Sequence, residues 1–137
     1  MGRVDFDLKV CRGGKIETIT NPSPEMIEQT IDDLIPVRDH FVILESTPQL
    51  NDCVWIQTII EWDDKPLINY SVEAHFKHGK KLAYYRRFTT DAEWLKKLFR
   101  MFALEVIPDI EGWEDVTNEV IAAIKKSKAE KNRQRKK

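Results

Sequence analysis

The sequence predicts an α+β domain built on a mainly antiparallel sheet. Three observations lead there: period-two apolar patterning in several short segments, two segments with helix-start signals and 3.6-residue periodicity, and strands that follow one another too closely for parallel crossovers. The expected order is β-β-α-β-β-β-β-α with a possible final helix. About six strands carry two or three helices on one face. A strongly curled sheet wrapping the first helix is the alternative.

Val4, Phe6, Leu8 and Val10 alternate with Asp5, Asp7, Lys9 and Cys11, as in a strand that buries one face. Gly13-Gly14 supplies the positive φ angles of a tight hairpin, and Lys15 to Thr20 reads as the returning strand. In Asn21-Pro22-Ser23-Pro24, Ser23 is positioned to cap a helix and Pro24 suits its first turn. Ile27, Ile31 and Leu34 then share a face until Pro36 ends the helix. Phe41 to Glu45 is a nearly continuous apolar run expected mid-sheet and covered on both faces.

Cys53 to Trp62, Leu67 to Lys77 and Leu82 to Thr89 form a predicted meander, separated by Asp63-Asp64-Lys65-Pro66 and His78-Gly79-Lys80. In its middle strand Ile68, Tyr70, Val72, Ala74 and Phe76 are expected inside, with Asn69, Ser71, Glu73, His75 and Lys77 wet. Thr90 and Glu93 fit a capping box that opens a second helix. Its stripe is Leu95, Leu98, Phe99 and Phe102, with Lys96, Lys97 and Arg100 directed to solvent before Pro108. Val116, Val120 and Ile124 suggest a short last helix.

The chain has 137 residues and a net charge of −1, which conceals a strong asymmetry. Residues 1–124 hold 14 Lys and Arg against 22 Asp and Glu, a balance of −8, whereas 125–137 hold eight basic residues against Glu130 alone, a balance of +7. Residues 1–124 are therefore read as one globular domain and 125–137 as a basic tail, disordered or frayed helix, because no large apolar side chain is present there to offset the ordering entropy. No segment reaches the roughly 18 apolar residues of a membrane span, and the opening residues do not build a signal-peptide core, so a cytoplasmic protein is expected. Cys11 and Cys53 lack any ligand-like grouping and read as reduced structural thiols.

Catalytic chemistry finds little support. His75 and His78, three apart on a strand, point to opposite faces, so no metal is expected and both read as solvated or ladder-edge histidines. No nucleophile elbow or phosphate-cradling glycine loop occurs, and the acidic pairs Asp32-Asp33, Asp63-Asp64 and Glu114-Asp115 fall where solvent keeps them ionised. No cofactor is expected. Tyr84-Tyr85-Arg86-Arg87 interleaves aromatic and basic residues, but a strand splits it across two faces. Between Glu105 and Glu119, six carboxylates surround Trp113 without a Lys or Arg, a composition suited to an interface with a basic protein. The competing reading is a Trp113 packed on the sheet among solvated acids.

Asn21-Pro22-Ser23-Pro24, the strand His40 to Leu44, Trp55-Ile56-Gln57-Thr58 and Gly112-Trp113-Glu114-Asp115 resemble small bacterial immunity proteins of polymorphic-toxin systems over residues 4–117. The basic tail lies outside that pattern. The resemblance implies an α+β protein that binds and neutralises a cognate toxin of the same cell without catalysis. Such toxins include nucleases and deaminases with basic active sites, which an acidic inhibitor suits. The residues expected to contact the partner are Trp113, Glu114, Asp115, Asp109 and Glu111, then Asp63 and Asp64. The alternatives are a nucleic-acid adaptor acting through the tail and a small-molecule domain with a pocket between sheet and helices.

Overall fold

The computed structural model describes residues 4–37, 39–61 and 66–135, with the backbone alone over 131–135. The expected turn at Asp63 and Asp64 lies outside the described residues. Among the described residues seven strands make one antiparallel sheet in the order β2-β1-β3-β4-β5-β6-β7, one strand more than the sequence suggests, with three helices.

β1 (Asp5–Arg12) and β2 (Lys15–Thr20) form the expected hairpin, with Gly13 at φ 60° and Gly14 at φ 86°. Those angles cost a glycine little and a β-carbon much. Helix α1 (Pro24–Asp32) starts where the sequence places it, the Met26 N–H donating to Ser23 Oγ at 3.2 Å. It stops at Asp33, before Pro36, yet Leu34 remains buried beyond its end.

Strands β3 (His40–Leu50), β4 (Cys53–Glu61), β5 (Asn69–His78) and β6 (Lys81–Thr89) pair in sequence order. β3 is interior, but its cover is one-sided: Val42 and Leu44 are fully buried while Phe41 and Ile43 are half-buried. The two-residue strand β7 (Glu114–Asp115) adds to β6, Arg86 facing Glu114 and Tyr85 facing Asp115.

Helix α2 (Ala92–Ala103) is capped by Asp91 rather than Thr90: the Trp94 N–H donates to Asp91 Oδ1 at 3.0 Å, and Thr89 Oγ1 accepts the Asp91 N–H. A carboxylate there answers the free amides and the positive helix end together, which a hydroxyl does less strongly. Leu95, Phe99 and Phe102 are fully buried and join Phe6, Leu8, Ile27, Ile31, Val42, Leu44, Ile56 and Val72 in one core. Lys96 does not project into solvent. Its side chain is 12% exposed and reaches Asp32 of α1 at 2.7 Å, while Arg100 meets Glu28 at 3.2 Å. The basic flank of α2 lies along the acidic flank of α1, and the hydrogen bond to Asp32 raises the Lys96 pKa.

Helix α3 (Thr117–Arg135) runs unbroken through the position where the charge changes sign. Where the sequence suggests disorder or a frayed helix beyond residue 124, the backbone is helical to Arg135. Among its described side chains the beginning alone is packed: Val120 and Ile121 are half-buried and residues 122–130 are exposed.

Candidate binding surface

Helices α1 and α2 cover one side of the sheet, where Val42, Leu44, Ile56, Val72 and Ala74 point. The alternation of a pleated strand sends the intervening residues to the other side, which those helices leave open. Register sorts that side into rows. Asp7, Glu45, Trp55, His75 and Tyr84 form one, and Lys9, Ile43, Gln57, Glu73, Arg86 and Glu114 the next. A third contains Ile16 beside Cys11, Phe41, Ile59, Ser71 and Phe88, with Ile16 59% and Phe88 49% exposed.

The open side is thus ribbed with apolar and aromatic residues and carries excess negative charge. Its carboxylates, from Asp5, Asp7, Glu45, Glu61, Glu73 and Glu114, face fewer cations, Lys9, Lys77 and Arg86. Lys9 is bound to Glu45 at 2.9 Å, and Arg86 is held by Glu73 at 3.0 Å and by Glu119 of α3 at 3.2 Å. Burial works against the Arg86 charge, but the hydrogen bond and charge of Glu73, with Glu119, more than offset it and raise its pKa. Arg86 is a permanently charged tie between sheet and α3.

The wet face expected for β5 is partly buried. Ser71 and His75 are enclosed, and the His75 ring stacks on Tyr84 with centroids 4.2 Å apart, next to Trp55. His75 is therefore not a solvated histidine. Its Nδ1 lies 3.2 Å from the Ala83 carbonyl, which only accepts, so Nδ1 carries the proton. Burial lowers its pKa. Cross-strand aromatics at Trp55 and Tyr84 were the sequence signal for this enclosure, visible only once the register is known. His78 is exposed and meets Asp52 at 3.1 Å.

The expected partner-binding residues fall into distinct environments. Trp113 is 8% exposed, inside the core with its ring 6.4 Å from that of Trp94, so it packs inside the fold and presents no free ring. Arg87 lies over the Trp94 ring, 4.2 Å from its centroid. Asp109 accepts the Glu111 N–H at 3.1 Å, and Asp115 accepts the Thr117 N–H at 2.9 Å and its hydroxyl proton. These two carboxylates shape the connector and start α3. The hydroxyl bond lowers the Asp115 pKa. Glu111 and Glu114 are exposed, with no ion-pair partner among the described residues. Of the described members of the set, Glu114 alone belongs by register to the open side.

Other chemistry has little to work with. Among the described residues no group of three or more His, Cys, Asp or Glu is arranged to hold a metal ion. Cys11 and Cys53 are buried free thiols that flank opposite ends of β3, beside Phe41 and Leu50, and burial pushes the Cys53 thiol up to about 12. A hollow of about 460 Å³ lies at the surface between the start of α1 and the second half of α2, lined by Pro22, Ile27, Met101 and Leu104 with Lys97 and Arg100. Among the described residues no helix is long and apolar enough to cross a membrane. Compared with protein-family models, curated proteins and solved structures, the chain matches none.

Proposed function

We propose that this protein is a non-catalytic binder that neutralises a basic protein, the cognate toxin of a bacterial polymorphic-toxin system in keeping with the immunity-protein resemblance. The observation that carries the reading is the open side of the sheet, where carboxylates flank apolar and aromatic ribs that helices α1 and α2 do not cover. Opposite charge speeds encounter with a basic surface, and aromatic and aliphatic groups supply the area that holds it. A toxin that contacts nucleic acid presents such a basic surface.

The burial of Trp113 moves the centre of this interface away from the connector. Half-buried Trp55 and Phe41 and exposed Phe88 take the anchoring role, with Glu61 and Glu114 at the rim. The buried thiols and the neutral, enclosed His75 fit a scaffold rather than a reacting centre.

The test is association with a basic toxin domain encoded beside this gene. Rapid-mixing kinetics should show association that slows as salt rises, and Glu61→Lys with Glu114→Lys should slow it by about tenfold at low salt. Absence of binding, or binding indifferent to both salt and these reversals, refutes the reading. The exposed, lysine-rich α3 favours a second reading as a nucleic-acid adaptor. Charge reversal at Lys125, Lys126 and Lys128 would then abolish oligonucleotide binding.

A further inference from the structure

We infer that the basic half of α3 from one molecule docks across the acidic open side of the sheet of a second copy. The inference uses this chain alone and does not depend on the toxin reading.

The first reason is that α3 lacks a surface of its own. Residues 122–130 are exposed along the helix, and Ile124 is 41% exposed. An unpacked helix of this length is marginal in water, because helices draw most of their stability from packing. Its charges add to the difficulty. Lys125 and Lys128, Lys128 and Lys131, and Lys131 and Arg135 stand three or four residues apart, where like charges repel along a helix face. Against these, Glu130 stands at that spacing from Lys126 and from Arg133, the two favourable pairs in this stretch.

The second reason is complementarity. The tail from Lys125 carries +7 and the rest of the chain −8, so each molecule presents both halves of an ion-paired contact. The open side supplies Glu61 on one flank of the Phe41 and Ile59 row, and on the other Glu45 and Glu73, which Lys9 and Arg86 already pair with, so that carboxylates outnumber cations across it. Lysine stems lie on such ribs while their ammonium groups reach the acids, and Ile124 adds an apolar contact. The lengths agree. Residues 122–135 rise about 21 Å along the helix axis, and four strand spacings cover about 19 Å.

The third reason is that the molecule's own α3 begins at the wrong place to fill this face. The Arg86–Glu119 pair pins its first turn at the β6 edge, and the helix then runs on exposed. A second molecule related by a two-fold axis receives this helix and returns its own, which closes the pair and leaves no helix unpacked.

Sedimentation of the full chain across micromolar concentrations is the test. The wild type should form dimers at low salt that dissociate in about 0.5 M NaCl. The triple variant Lys125→Glu, Lys126→Glu, Lys128→Glu should weaken self-association by at least tenfold while melting like the wild type, since those side chains are exposed. The variant Glu45→Lys, Glu61→Lys should behave likewise. Mixed together, the two variants should restore a dimer that neither forms alone, an outcome that a merely structural effect of either would not give. A chain that stays monomeric at low salt overturns the inference, as does a dimer indifferent to tail reversal. A monomer whose tail binds an oligonucleotide also overturns it, because the helix then serves nucleic acid.

Discussion

His75 and Tyr84 stack face to face across β5 and β6, with ring centroids 4.2 Å apart and planes 11° from parallel. The enclosure favours a neutral imidazole, because burial lowers the His75 pKa below the 6.5 of the free side chain. As pH falls the unfolded chain takes up this proton first. The contribution is therefore complete above pH 6.5 and is lost as the pH drops toward the depressed native value. Thermal melting should show a Tm that declines through that window, and His75→Phe should flatten the decline. An unchanged pH profile in that variant would show that the enclosure of His75 does not couple to stability.

The core makes a second, larger demand. Phe102 of α2 is fully buried and meets Phe6 of β1 edge to face, centroids 5.5 Å apart. Removing this ring opens a cavity between helix and sheet, so Phe102→Ala should cost about 3–5 kcal/mol. Denaturant unfolding measures it directly. A cost below about 1 kcal/mol would mean that the site collapses around the missing ring.

Helix α2 ends with a non-glycine residue where the backbone turns left-handed. Glu105 has φ 67°, its N–H bonded to the Phe102 carbonyl at 2.9 Å while the Val106 N–H reaches the Met101 carbonyl at 3.0 Å. That is a Schellman ending, whose central position favours glycine. Glu105→Gly should stabilise the fold by about 0.5–1 kcal/mol, read as a Tm increase of about 3 °C. A lower Tm would show that the Glu105 side chain contributes more than its backbone strain costs.

Local chemistry was legible in the sequence. Gly13-Gly14, Ser23-Pro24 and the Leu95, Phe99, Phe102 stripe each encode their structure within a few residues, and each appears as read. What escaped depends on partners distant in sequence. β7 exists because Glu114 and Asp115 meet β6 about 30 residues earlier, and Trp113 is buried because the same pairing carries it to Trp94. His75 looked wet because alternation along one strand does not reveal Trp55 and Tyr84 on its neighbours. The acidic connector drew attention through composition. Geometry divides it between Asp109 and Asp115, which shape the backbone, and Glu111 and Glu114, which face solvent.

Cys53 offers the sharpest check on an inert interior. Its side chain has no exposure, and burial holds the thiol at about 12. Near pH 8 only about one molecule in ten thousand would carry the reactive thiolate, and that thiolate would lie inside the core, on β4 between Leu50 of β3 and Phe76 of β5. Labelling by an aromatic disulfide reagent must therefore wait for the sheet to open. In a Cys11→Ser background the reaction should be slower than that of a free thiol by orders of magnitude and should accelerate with denaturant in step with unfolding. Prompt stoichiometric labelling of the native protein would mean that β4 opens readily, which a preformed acidic sheet surface for a partner does not allow.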